Sequence, residues 1–152
     1  MMYYIIHILS GAIGTVGFAL LYNIRGKKLI IACIGGLISG TLFEMFNIFL
    51  QNEVLAYFIT AMMVAFYAEI MARVVKTPTT TFIATALIPL VPGRALYYTM
   101  AYAFEGNAGL FANYGLATVK IASALALGIA VATATARIVH KLIEKRHYDK
   151  VN

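Results

Sequence analysis

Apolar residues fill this chain in long blocks separated by short polar stretches. A helix needs about 20 apolar residues to cross roughly 30 Å of hydrocarbon. Five blocks reach that length: Tyr3 to Asn23, Leu29 to Leu50, Val54 to Ala72, Thr79 to Phe104 and Leu110 to Ala136. The pattern predicts an all-α fold, a polytopic membrane bundle of five transmembrane helices. Residues 1–152 then form one integral membrane domain with a polar tail over 137–152. The alternation from Ala124 to Ala136 also fits a strand, but an open strand cannot satisfy its backbone in hydrocarbon, so a helix is preferred. The connectors are Arg25-Gly26-Lys27-Lys28, Gln51-Asn52-Glu53, Arg73 to Pro78 and Glu105 to Gly109. None can house a soluble domain, so helices and short loops must do the work.

Composition sharpens this. The 152 residues are 62% hydrophobic and 12% charged, with a mean hydropathy of +0.84. A soluble domain is nearer half apolar and about a quarter charged, which excludes a water-soluble enzyme with one core. A formal net charge of +6 would suggest nucleic acid as a partner of a soluble protein. Here the cations stand at the ends of apolar blocks instead, where they set orientation. With five spans, Arg25, Lys27, Lys28, Arg73, Lys76, Arg137, Lys141, Lys145, Arg146 and Lys150 all fall on one side, and the opposite loops contain no Lys or Arg. That bias places the N-terminus outside and the C-terminus in the cytoplasm. The first block lacks a basic leader and is read as a retained helix rather than a secretory signal. The basic run from Arg137 to Arg146 reads as a stop-transfer cluster, with a lipid- or partner-binding role as the alternative. Cys33 has no second cysteine to pair with, and nothing in the sequence supplies a metal or cofactor site. No nucleophile elbow, HExxH or phosphate-cradling loop appears, so no enzymatic activity is expected.

Lipid solvates leucine as well as a neighbouring helix does, so helices in a bilayer associate through small residues that let backbones approach. Gly36 and Gly40 form such a pair in the second block, beside Gly35 and Ser39. Ser10 and Gly14 do so in the first, near Gly11 and Gly17. Ala124, Gly128, Ala132 and Ala136 recur every four residues in the fifth.

Ionisable groups within a bilayer are costly and suggest function by default. Four qualify: Glu44, Glu69, Arg94 and Lys120. Glu69 stands one turn before Arg73, so an ion pair within the helix would explain it. Glu44 lies deep in the second block with Asn47 one turn on, and Lys120 falls at a similar depth in the fifth. A Glu44–Lys120 contact could be a structural bridge or part of a substrate or proton path. His7, near the outer end of the first block, is read as interfacial, and Met62, Met63 and the nearby phenylalanines as packing or lipid-facing residues.

The fourth block carries Ile88-Pro89-Leu90-Val91-Pro92-Gly93-Arg94. Two prolines remove backbone donors and clash with the preceding turn, and the glycine adds freedom, so a break is expected near mid-membrane. A half-helix N-terminus there offers partial positive charge, and Arg94 adds a fork that matches a carboxylate. The competing reading is a kink that only shapes packing. Tyr97 and Tyr98 follow one turn later as hydroxyl donors or interfacial anchors. Thr77 to Thr81 are expected to cap this helix, with Pro78 in its first turn.

The stretch Thr85-Ala86-Leu87-Ile88-Pro89-Leu90-Val91-Pro92-Gly93 followed by Tyr97-Tyr98-Thr99-Met100 resembles the threonine/serine exporter family of bacterial inner membranes. The Lys76-Thr77-Pro78 lead-in and the basic loop after the first block also look like that family. The resemblance extends along the whole chain in length and span count, and its specificity lies in a core of about 25 residues carrying Pro89, Pro92 and Gly93. Arg94 departs from the small or apolar residue usual after that glycine. The resemblance implies export of small hydroxy amino acids, or of related small carboxylates, driven by the proton motive force. It also implies a split, two-component form in which a larger subunit supplies about five further spans and a cytoplasmic domain. Two other readings stay open: a non-transporting scaffold subunit of a membrane complex, and a homo-oligomeric channel.

Overall fold

The computed structural model describes the backbone of residues 2–151 and the side chains of Ile6 and of residues 8–142. The expectations for the His7, Lys145, Arg146 and Lys150 side chains lie outside the described residues. The described chain is helical and contains no strand. Its elements are α1 (Met2–Leu21), α2 (Lys27–Leu50), α3 (Glu53–Val74), α4 (Thr79–Ala86), a 3-10 turn (Ile88–Leu90), α5 (Gly93–Phe104) and α6 (Ala108–Val151). Three described stretches are long and apolar enough to cross a membrane: Lys27–Leu50, Glu53–Val74 and Ala108–Leu142. Ile8–Leu21 is a shorter apolar helix. The polar tail from residue 137 onward continues α6 as helix to Val151.

Tight turns keep consecutive helices adjacent. After α1, Asn23 takes the left-handed conformation (φ 57°) and the Ile24 N–H donates to the Ala19 carbonyl at 2.9 Å. The same closure recurs at Lys76, where the Thr77 N–H reaches Ala72, and at Gly106, where the Asn107 N–H reaches Tyr102. Each satisfies carbonyls that the helix end leaves over. Asn52 and Asn107 open α3 and α6, their Oδ1 atoms accepting from the N–H groups of Leu55 and Leu110 at 3.2 Å. The expected threonine cap of α4 is not formed. Pro78 occupies the cap position and has no side-chain oxygen to offer, and the Thr77 hydroxyl donates back to the Val75 carbonyl at 3.2 Å.

Small residues let the helices touch. On α2, a β-carbon at Gly36 would collide with the Thr15 side chain of α1, and one at Gly35 would meet Tyr67 of α3 at 3.0 Å and Ala86 of α4 at 3.1 Å. On α6, one at Gly128 would stand 2.6 Å from the Phe58 carbonyl oxygen of α3. Ala124 and Ala132, on the same α6 face, are buried. In α1 the contact surface differs from the expected Ser10–Gly14 pair. Gly11 faces Pro89, Gly14 faces Ile88 and Thr15 is fully buried, whereas Ser10 is exposed and a β-carbon added at Gly17 would meet nothing within 4 Å.

Two apolar clusters divide the interior. One joins Ala19 and Ile24 of the α1 end to Ala32, Ala68, Ala72 and Phe82. The other joins Phe43, Ala56, Tyr57, Leu90, Ile121 and Ala124. The first cluster lies beside Arg25, Lys27, Lys28, Arg73 and Lys76. The second surrounds the junction between α4 and α5, and the candidate site is built there.

Candidate functional site

Pro89 and Pro92 cannot donate backbone hydrogen bonds, so between Ala86 and Gly93 the chain closes with shorter ones. The Leu90 N–H donates to Leu87 at 2.9 Å and the Val91 N–H to Ile88 at 3.2 Å. Pro92 (φ −75°, ψ 57°) then sits at the centre of a three-residue turn in which the Gly93 N–H donates to the Val91 carbonyl at 2.7 Å. The α5 ladder begins with Leu96 N–H to Pro92 at 3.0 Å. Pro92 offers no side-chain cap, so the N–H groups of Arg94 and Ala95 have no partner within the helix. Pro89 is seated against Gly11, where a β-carbon would lie 3.0 Å from its own.

This first turn of α5 borders a cavity of about 440 Å³. Pro89, Pro92, Gly93, Arg94 and Ala95 form one wall. Further lining comes from Phe43, Glu44 and Asn47 of α2, Glu53 and Tyr57 of α3, and Tyr114, Ala117 and Ile121 of α6. Glu44 and Asn47 lie one turn apart on α2, and Glu53 and Tyr57 one turn apart on α3, so each helix presents a carboxylate and a hydrogen-bonding neighbour on the same face. Glu44 is only 7% exposed. The Tyr57 ring is held against Phe43 with centroids 4.3 Å apart.

The electrostatics are two-sided. The α5 N-terminus and Arg94 bring positive charge to this cavity, and Glu44 and Glu53, from α2 and α3, bring negative charge to it. An aromatic group steadies the arginine. The Arg94 Cζ lies 6.0 Å from the Tyr98 ring centroid, and Tyr98 packs on Tyr114 of α6 with centroids 5.2 Å apart. Tyr102 adds a contact to Tyr114 at 5.4 Å. Such an arrangement suits a small solute that carries both charges.

Of the residues singled out by sequence, six line this cavity together: Glu44, Asn47, Pro89, Pro92, Gly93 and Arg94. The other four do not. Tyr97 is exposed and packs edge-on against Tyr98 at 5.5 Å, and Tyr98 stands behind Arg94. Lys120 is exposed on α6, one position from Ile121, and successive helical residues point about 100° apart. Glu69 accepts from Arg73 at 3.5 Å, the intrahelical pair expected from their spacing. Glu53, Tyr57 and Tyr114 were missed by sequence reading. Glu53 and Tyr57 were visible as an i, i+4 polar pair at the start of an apolar block. Tyr114 offered no signal beyond its aromatic ring.

Apolar helices packed through glycine and alanine, with a cavity lined by charged and polar residues between them, define a helical membrane protein. The family comparison gives that class a specific form. Residues 7–135 match the threonine/serine exporter family, ThrE, and the chain belongs to it. The matched span includes every cavity-lining residue, and the family is one of membrane transporters, not enzymes. No curated protein and no solved structure matches the chain.

Proposed function

We propose that this chain is a subunit of an exporter for small hydroxy amino acids such as threonine and serine, and that the cavity beside α5 holds the solute. The observation that carries this reading is that Arg94 and the first turn of α5 line the same small cavity as Glu44 and Asn47. The guanidinium and the two N–H groups of the first turn receive the carboxylate. Glu44 and Glu53 meet the ammonium group, and Asn47, Tyr57 or Tyr114 meets a side-chain hydroxyl. One of the two carboxylates carries the coupling proton when the proton motive force drives export.

In this reading α1, α2, α3 and α6 each span the membrane, and α4, the 3-10 turn and α5 together make a discontinuous fourth span. The basic end faces the cytoplasm and the N-terminus faces outward in a bacterial inner membrane. The family resemblance is the ground for a split exporter in which a larger subunit completes the pathway.

Replacing Arg94 with Ala, or Glu44 with Gln, is expected to lower efflux of preloaded threonine at least tenfold while membrane abundance stays unchanged, because each removes one charge-assisted contact worth about 1.5–3 kcal/mol. Unchanged efflux in both variants would remove the assignment of this cavity. Loss of complex assembly with normal transport per remaining complex would instead indicate a scaffold subunit.

A further inference from the structure

A second cavity lies at the opposite, basic end of the bundle and takes no part in the proposed solute site. Arg73, in the last turn of α3, donates from Nη2 to the main-chain carbonyl of Ala136 at 3.4 Å, and the same nitrogen lies 3.5 Å from Glu69. Beside this tie between α3 and α6, Arg73, Arg137, Ile138, His140 and Lys141 line a cavity of about 580 Å³. Arg137, His140 and Lys141 follow i, i+3, i+4 spacing and share one face of α6. No acidic residue lines the cavity among the described residues. Like charges at the i, i+4 spacing of Arg137 and Lys141 disfavour the helix unless an anion is shared between them. Two guanidinium forks and an ammonium group converging from two helices match the oxygens of a phosphate.

The surroundings indicate where that phosphate comes from. Ile138 lines the cavity itself, and Ile70, Val74 and Leu142, within three positions of its cations in sequence, are exposed. A soluble anion has no use for such an apolar border, whereas a lipid lays its acyl chains along it. Basic pockets between helices at a membrane surface bind acidic headgroups in this manner.

We propose that the cavity between the ends of α3 and α6 binds the phosphate headgroup of an anionic phospholipid, which joins the two helices where Arg73 meets Ala136. The site requires only that the chain lies in a bilayer, and it stands or falls independently of the transport reading.

The test uses the purified full-length chain, delipidated and titrated with phosphatidylglycerol or phosphatidylcholine of identical acyl chains, with bound lipid counted by native mass spectrometry. R137Q/K141Q leaves the Arg73 contacts in place, and K27Q/K28Q removes two cations from the same end of the bundle but outside the cavity. The expected result is retention of phosphatidylglycerol over phosphatidylcholine, weakened roughly thirtyfold in R137Q/K141Q and little changed in K27Q/K28Q. Equal loss in both double variants would overturn the proposal in favour of diffuse surface charge. Displacement of the lipid by inorganic phosphate or glycerol phosphate at equal concentration would overturn it in favour of a soluble anion. Circular dichroism of R137Q/K141Q separates lost binding from lost folding. If that variant is not helical, single R137Q and K141Q variants carry the comparison, and no weakening in either overturns the proposal.

Discussion

Glu44 and Glu69 are both glutamates inside apolar helices, and their neighbours give them different roles. Glu69 has Arg73 one turn on at 3.5 Å, and the Arg73 side chain is 46% exposed. An ion pair open to solvent contributes only about 0.3–0.5 kcal/mol. E69Q is therefore expected to lower stability by no more than about 0.5 kcal/mol and to leave efflux intact, as measured by thermal unfolding in detergent and by threonine export. A large loss of either would contradict the structural assignment. Glu44 instead faces a polar cavity from a buried position. This difference was partly legible in sequence, because i, i+4 spacing identifies the Glu69 partner directly. The cavity partners of Glu44 come from α3, α5 and α6, and spacing along one helix carries no information about them. Glu53 escaped notice for a related reason: it stands directly after the Asn52 cap and reads as part of a polar connector.

At the scale of elements, contact between α3 and α6 depends on Gly128. A β-carbon there meets the Phe58 carbonyl oxygen at 2.6 Å and the Met62 nitrogen at 3.1 Å, and backbone cannot rotate aside as a side chain can. G128A is expected to cost about 1–3 kcal/mol by forcing α6 away from α3. G17A meets nothing within 4 Å and should stabilise α1 by up to about 1 kcal/mol through helix propensity alone. Comparing the two melting temperatures checks the assignment, and equal shifts would contradict it. The four-residue period of small residues in α6 was readable because it follows from helical geometry. The partner face of α1 was not, since Gly11 and Gly14 oppose the 3-10 turn carrying Ile88 and Pro89 rather than a regular helix. The chemistry of two prolines and a glycine marks a segment where helix is disfavoured. It does not reveal that Pro89 would be received by a glycine of α1. The threonine run before α4 misled for a simple reason: proline took the cap position that a hydroxyl residue was expected to fill.

Across the whole molecule, charge and cavity are segregated. Arg25, Lys27, Lys28, Arg73 and Lys76 gather at one end, and Arg94, Glu44 and Glu53 gather around the cavity towards the other. The segregation of cations was legible as loop bias, and the all-helical architecture was legible as block length. The convergence of four helices on one cavity was not, because it depends on how the blocks are arranged around one another. Export by the proposed route requires threonine to occupy that cavity. The most direct test places single cysteines at Ala117, which lines the cavity, and at Leu116, which is exposed beside it, in a Cys33→Ala background. Labelling by a membrane-permeant maleimide is then followed in native membranes. Saturating threonine should slow modification of A117C several-fold and leave L116C unaffected. Equal labelling of A117C with and without threonine, in membranes that still export it, would contradict the central claim.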